Sequence, residues 1–354
     1  MGAVRSSKKV KAAVIILIVM LIGILAGGCG CVLKRIVDQA TVTFRGIAAK
    51  NELDTKANEG YDVREARAKW SLALQAYTAE DYVRANQLVD ETYGALTNLE
   101  KVAERIFYES SDGLVVSGLL FKPIQGGGPW PTIIVNHAGF GTAGDFSDVA
   151  LGIRDRGYLV FNPDYRGSGQ SQGQHELAKG EVDDVISAIT YLKSQGLIED
   201  DRIGMYGQSH GAGISLLAAE RYPGIKAVVS EAGFSDVVGI YEHALSKSDD
   251  PLAQQYLDEM LPMVGGTPEE VPEEYEVRSP IHHAQDIQAA VLIIHGEQDP
   301  LLPVDQAYSM YDALKAAGKT VEIKIYPDEA HTVVLPQNRA EVWDLMFDWF
   351  EKYV

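Results

Sequence analysis

The sequence predicts an α/β fold: a mostly parallel, doubly wound sheet, preceded by an N-terminal membrane segment and a helical hairpin. Three observations carry this. From Ile106 onward, short apolar runs of strand length alternate with helix-length amphipathic segments, the pattern of βαβ units. Some of those runs, such as Trp130-Pro-Thr-Ile-Ile-Val-Asn136, are apolar almost throughout, as strands covered on both faces are. Before Ile106, apolar residues recur at steps of three and four, and the chain opens with a basic head and an apolar run. A length of 354 residues suffices for one large domain and a smaller module.

Arg5, Lys8, Lys9 and Lys11 precede the apolar residues 12–26, a signal or anchor pattern. Extended through Leu33, the run is just long enough to span a bilayer. Leu25-Ala-Gly-Gly-Cys29 resembles a bacterial lipobox, with Cys29 as the lipidated residue. An uncleaved anchor, a lipoprotein and a cleaved signal all place the main domain outside the cytoplasm, with the membrane as a partner of the N-terminal segment. Cys29 and Cys31 are the only cysteines, so the folded part has no disulfide framework and no thiolate metal site.

Residues 32–102 read as helical. Val32, Leu33, Ile36, Val37, Ala40, Val42 and Phe44 mark a first apolar-striped helix; Ala66, Trp70, Leu74 and Tyr77 mark one from Tyr61; Tyr82, Ala85, Leu88, Val89, Tyr93 and Leu96 mark the next. Thr78 with Asp81 fits a helix start between them. This resembles a single tetratricopeptide-like hairpin. One repeat cannot bury its own face, so it is expected to pack on the neighbouring domain or on a protein partner, or to act as a spacer.

The main domain spans 103–354. Asp112-Gly113 turns a hairpin between apolar runs at 106–121. Strand 130–136 ends in the loop His137-Ala-Gly-Phe-Gly141. Helix 148–156, strand 158–161 and the loop Asn162-Pro-Asp-Tyr-Arg-Gly-Ser-Gly169 follow, then helix 181–195. Gly167-Ser-Gly169 lacks the lysine and helix of a phosphate loop and reads as a turn. Next come a strand through Tyr206, helix 214–222, strand 226–230 and a polar insertion at 236–276, with Met260 and Met263, expected to lid a pocket. Strand 290–294, helix 303–317, strand 320–325 and helix 339–351 complete the chain.

Chemistry concentrates at Gly207-Gln208-Ser209-His210-Gly211. A G-x-S-x-G between strand and helix is the nucleophile-elbow pattern: glycines permit the sharp turn that exposes the serine hydroxyl. A serine needs a base to take its proton, and histidine serves near neutral pH. An aspartate fixes the histidine tautomer. Asp299 and His331 lie on later loops leaving strand ends, where open α/β sheets place their sites. Asp305 and Asp328 compete for the acid role. Asp305 reads better as a helix cap, and Asp328 lies too close to His331 to come from another strand end. The backbone N–H of His210 and one from His137-Ala138-Gly139 would face the oxyanion. His295 is read as a structural histidine beside the site. His282-His283 point in different directions and make no metal pair. Phe140, Tyr165 and Gln208 are candidates to line the substrate, and Arg166 is structural or substrate-lining. No cofactor or metal is implied. A net charge of −19 argues against nucleic acid, because phosphate binding needs a basic surface.

The elbow, Ser279-Pro-Ile281, His295-Gly-Glu-Gln-Asp-Pro300, Val304, Tyr326-Pro-Asp-Glu-Ala-His331 and Asp164-Tyr-Arg-Gly-Ser-Gly169 together resemble the catalytic domain of the prolyl oligopeptidase family, within the α/β-hydrolase superfamily. The resemblance covers about 103–354. It implies Ser209, Asp299 and His331 as a triad, with His137 where the family supplies an oxyanion donor, and an acyl-enzyme peptidase. Two departures stand out. Family peptidases commonly carry a large N-terminal β-propeller, whereas the residues before Ile106 are too few for one and read as helical. Ala138 stands where hydrolases often place glycine, which narrows the oxyanion approach. Small esters or short peptides are the expected substrates, leaving carboxylesterase as the alternative. A surface-anchored binding protein with an inactive hydrolase domain is the reading from a different class.

Overall fold

The computed structural model describes residues 30–354. They fall into two compact units, the first ending at Val102 and the second spanning Ala103–Val354. Among the described residues, no helix is long and apolar enough to cross a membrane. The predicted anchor and Cys29 lie outside the described residues.

Among the described residues, the first unit has three helices: α1 (Gly30–Asn58), α2 (Arg64–Thr78) and α3 (Tyr82–Ala95). The hairpin of α2 and α3 packs on α1. Its apolar face closes on α1, with Ala49, Leu53 and Ala57 packed on Ala66, Ala73, Leu88 and Val89, and Val42 on Tyr82 and Ala85. The long first helix thus supplies one wall of the hairpin. The helix boundary at Tyr61 also moves. Tyr61 bridges to Lys101 instead, and the Asp62 carboxylate accepts from Arg64 N at 3.1 Å, so α2 begins at Arg64. Asp81 alone caps α3, accepting from Arg84 N, while the Thr78 hydroxyl donates back to Gln75 O at 2.8 Å.

The second unit is built on one eight-stranded sheet. Its strands are β1 (Glu104–Glu109), β2 (Val115–Phe121), β3 (Trp130–Asn136), β4 (Leu159–Asp164), β5 (Ile198–Gln208), β6 (Ile225–Glu231), β7 (Ala290–Gly296) and β8 (Val321–Tyr326), in spatial order β1-β2-β4-β3-β5-β6-β7-β8. β1, β2 and β4 pair antiparallel, and every later pairing is parallel. Helices α4 (Ser147–Arg154), α5 (Gly180–Ser194), α6 (His210–Arg221), α10 (Asp305–Ala316) and α11 (Pro336–Tyr353) form the connections and flanks. This is an α/β-hydrolase-like fold with a mostly parallel sheet. The central strands β3, β4, β6 and β7 are buried along nearly their whole length, which accounts for their unbroken apolar runs.

Three expectations change here. β4 runs on through Asn162, Pro163 and Asp164, which read as loop. Beyond Phe161 it pairs only with β2, so Pro163 need not serve a second neighbour. Helix α6 starts at His210, directly after the elbow serine, four residues before the expected 214. The segment 236–276 is largely helical, with α7 (Val237–Ser246), α8 (Pro251–Val264) and α9 (Pro272–Glu276). Ile240, Ala244, Leu257, Met260 and Tyr275 from it join the core, so the insertion is anchored by burial.

Candidate active site

β5 delivers Ser209 and α6 carries the chain away. Ser209 sits at φ 54° and ψ −119°, a conformation that costs an L-residue about 1–3 kcal/mol. The turn is held by Ser209 N donating to Glu231 O at 2.8 Å. It is also packed too tightly for side chains at its flanks: a Cβ on Gly207 would strike Gly211 O, and one on Gly211 would strike Asn136 O. The second contact shows that the end of β3 lies directly on the start of α6.

His331, on the loop after β8, lies with Nε2 2.9 Å from Ser209 Oγ and Nδ1 2.7 Å from Asp299 Oδ2. Asp299, on the loop after β7, has its other oxygen, Oδ1, accepting from Leu301 N and Leu302 N at 2.9 Å each. Burial alone would raise the Asp299 carboxyl, but hydrogen bonds from His295 and His331, the His331 charge and the Leu302 amide outweigh it. The group is held well below the usual carboxylate range. Three candidate residues from three strand ends are thus brought into one hydrogen-bonded line. Asp305 is the first residue of α10, with Val304 in the cap position, and Asp328 accepts from Asn338 Nδ2 at 3.1 Å. His331 instead bonds to Asp299. His295 does more than pack nearby. Its Nε2 lies 2.9 Å from Leu302 O and 3.2 Å from Asp299 Oδ2, bracing the acid loop.

On the opposite side, the loop of His137, Ala138 and Gly139 lies over the start of α6. Gly139 O is 3.4 Å from His210 Nδ1, and Gly141 N donates to Ala138 O at 3.1 Å. The N–H of His210 opens a helix whose first amides have no intrahelical acceptor. Burial lowers the pKa of the His210 ring, so its imidazole is disfavoured as a charged donor.

The His137 ring is fully buried, 4.1 Å centroid to centroid from Tyr165. Burial pushes His137 down to about 4 from an ordinary 6.5. Between those values the unfolded chain binds a proton that the folded chain refuses. Stability should therefore fall as pH drops from 6.5 to 4 and level off below, by roughly 3 kcal/mol from this group. Replacing His137 with asparagine should flatten urea-midpoint against pH over that window. An unchanged slope would assign the acid sensitivity elsewhere.

The candidate substrate residues separate. Phe140 is 53% exposed, its ring edge on His175. Tyr165 is not substrate-lining: it is wholly buried, and its hydroxyl donates to His137 O at 3.2 Å, holding the loop at His137 from below. Gln208 turns away to donate to Glu231 Oε1 at 3.1 Å. Arg166 is structural, buried among Asp184, Glu176 and Asp112. A cleft of about 170 Å³ opens at Ser209 and His331, walled by His243 and Ala244 of α7, Ala253 and Tyr256 of α8, and Leu301 and Leu302. Sequence reasoning placed a lid at this segment but missed these residues, because no motif marks them.

A family description, the prolyl oligopeptidase family, matches residues 145–354, more than half of the chain. The chain belongs to that family. As a prolyl oligopeptidase family member it is a serine hydrolase, a peptidase or an esterase. It is similar to the uncharacterized peptidase YtmA of Bacillus subtilis, 32% identical over 238 residues that span 66% of this chain and 88% of YtmA. A second Bacillus subtilis relative, the uncharacterized peptidase YuxL, is 26% identical over 272 residues, and the chain spans 39% of its length. Among solved structures, the acylaminoacyl peptidase of Pyrococcus horikoshii superposes with a TM-score of 0.60 at 24% identity, over 70% of this chain and 41% of that one. The likeness is one of fold.

Proposed function

We propose that this family member hydrolyses short peptide or small ester bonds through an acyl-enzyme on Ser209. The observation that carries the reading is the continuous line from Ser209 Oγ through His331 to Asp299, with links of 2.9 and 2.7 Å. Ser209 Oγ would attack the carbonyl carbon while His331 Nε2 takes its proton. The carbonyl oxygen, now anionic, faces the His210 N–H and the loop at Ala138. His331 returns the proton to the leaving amine or alcohol. It then takes a proton from water, whose oxygen attacks the acyl carbon; the bond to Ser209 Oγ breaks, His331 returns the proton to Oγ, and the acid leaves.

The cleft limits the substrate. At about 170 Å³ it matches the scale of a cavity that admits one benzene ring, so it suits one small apolar side chain or a short acyl group. Family membership favours the peptidase reading; the small size of the cleft favours the carboxylesterase alternative. Turnover of a panel of nitrophenyl esters of increasing chain length, set against aminoacyl and prolyl amides, separates the two. The expected result is cleavage of amides bearing a small apolar residue, with esters falling off steeply as the acyl chain lengthens. Ester hydrolysis with no amide cleavage would reject the peptidase reading. No turnover of any substrate would favour an inactive, surface-anchored binding protein. We also propose attachment to a membrane with the catalytic unit outside the cytoplasm, on the strength of the basic head and the apolar run at 12–26. Recovery of the full-length chain in the soluble fraction would reject attachment.

A further inference from the structure

Glu231 ends β6 and is wholly buried, yet it touches no member of the candidate triad through its side chain. A buried carboxylate is expensive unless several donors satisfy it. Here the donors lead in two directions. The backbone carbonyl of Glu231 accepts from Ser209 N at 2.8 Å. Its carboxylate accepts from Tyr206 Oη at 2.7 Å, from Gln208 Nε2 at 3.1 Å and from both terminal nitrogens of Arg339. It also accepts, at 3.4 Å, from the backbone N–H of Val333, two residues beyond His331. Arg339, on α11, completes the grip by donating to Val333 O from Nε at 2.8 Å and from a terminal nitrogen at 2.6 Å. Val333 is therefore clasped at its N–H by the acid and at its C=O by the base. On the far side of the same loop, Glu329 accepts from Val334 N and Leu335 N.

We propose that Glu231 and Arg339 form a positioning pair that sets the distance between Ser209 and His331. Glu231 refers the serine to β6 through its main chain and the histidine loop to β6 through its side chain. The two reacting groups thereby share one reference point, and Arg339 locks the loop onto it with a planar fork that lysine does not reproduce. The inference rests on Ser209 and His331 acting as nucleophile and base. It goes further by assigning work to residues that no reacting atom touches.

The test uses the full chain and the variants E231Q, R339K and the double variant. Reacting atoms displaced by about 1 Å lose about 10²-fold in rate. Each single variant should therefore lower kcat about 10²-fold with KM within about threefold, because the cleft walls are unchanged. The double variant should lose no more than the worse single one, since both break one unit. Wild-type kcat in R339K and E231Q, or losses that multiply in the double variant, would overturn the pair. So would a rise in KM at constant kcat. Circular dichroism and thermal melts accompany each variant. If E231Q fails to fold, R339K and R339Q decide, because the Arg339 side chain is 27% exposed and more tolerant of change. The parent reading fails separately: if S209A keeps wild-type turnover, the nucleophile is wrong, whatever the strut variants do.

Discussion

Ser209→Ala should abolish labelling by a fluorophosphonate probe and lower kcat by about 10⁴- to 10⁶-fold, the range seen when a hydrolase loses its serine nucleophile. KM should change little, because Ser209 contributes only one small hydroxyl to a cleft walled by the insertion and the acid loop. The fold should survive. Alanine fills no new space, and the turn at φ 54° is imposed by the Ser209 N bond to Glu231 O, which alanine keeps. Residual activity above the background of oxyanion stabilisation alone would mean that another group attacks. Equal probe labelling of wild type and variant would reject the enzyme reading at this site.

Asp299→Asn comes next, with an expected loss of about 10⁴-fold in kcat. Oδ1 of Asp299 is occupied by two backbone N–H groups, from Leu301 and Leu302. Those donors require an acceptor, so an asparagine would place its carbonyl oxygen there and turn its amide toward His331. The amide would donate to Nδ1 and force the proton to Nε2, leaving nothing to accept from Ser209. His295, 3.2 Å from Oδ2, would reinforce the loss by facing the same amide. Because the Asp299 carboxyl is held well below its ordinary range, wild-type activity should not lose this group to protonation in mildly acid solution. The acid limb of a pH profile of kcat/KM then belongs to another group. A variant within tenfold of wild type would show that the asparagine can still orient His331 productively.

The centre of the sheet was legible because β3, β4, β6 and β7 are buried along nearly their whole length and so read as largely apolar runs, and because helices of ordinary length separate the strands. The hydrogen-bonded line of Ser209, His331 and Asp299 was legible because each of these residues follows a strand at its carboxyl end. What escaped was whatever depends on partners distant in sequence. Tyr165 and Gln208 sit beside the site in sequence, but a buried carbonyl and a buried carboxylate draw them inward. Glu231 carries no motif; its importance arises from Arg339 and Val333, more than a hundred residues away. The early start of α6 escaped because Gly211 and Gly213 weaken a helix by propensity, while packing against β3 demands glycine at Gly211. The helical hairpin was legible as a period, but its third wall was not, because the cover lies on a separate helix whose stripe says nothing of what it faces.

Much of the cleft wall comes from a different stretch of the chain than the hydrogen-bonded line of Ser209, His331 and Asp299. Ser209, Asp299 and His331 stand on loops anchored to the sheet, whereas His243, Ala244, Ala253 and Tyr256 stand on two helices inserted between β6 and β7. Drift within that insert can retune which compounds are accepted while the hydrolytic apparatus stays as it is. Two proteins that share this elbow and these loops therefore need not share a diet. Exchanging residues 236–276 between relatives is the direct way to test whether that insert sets the preference.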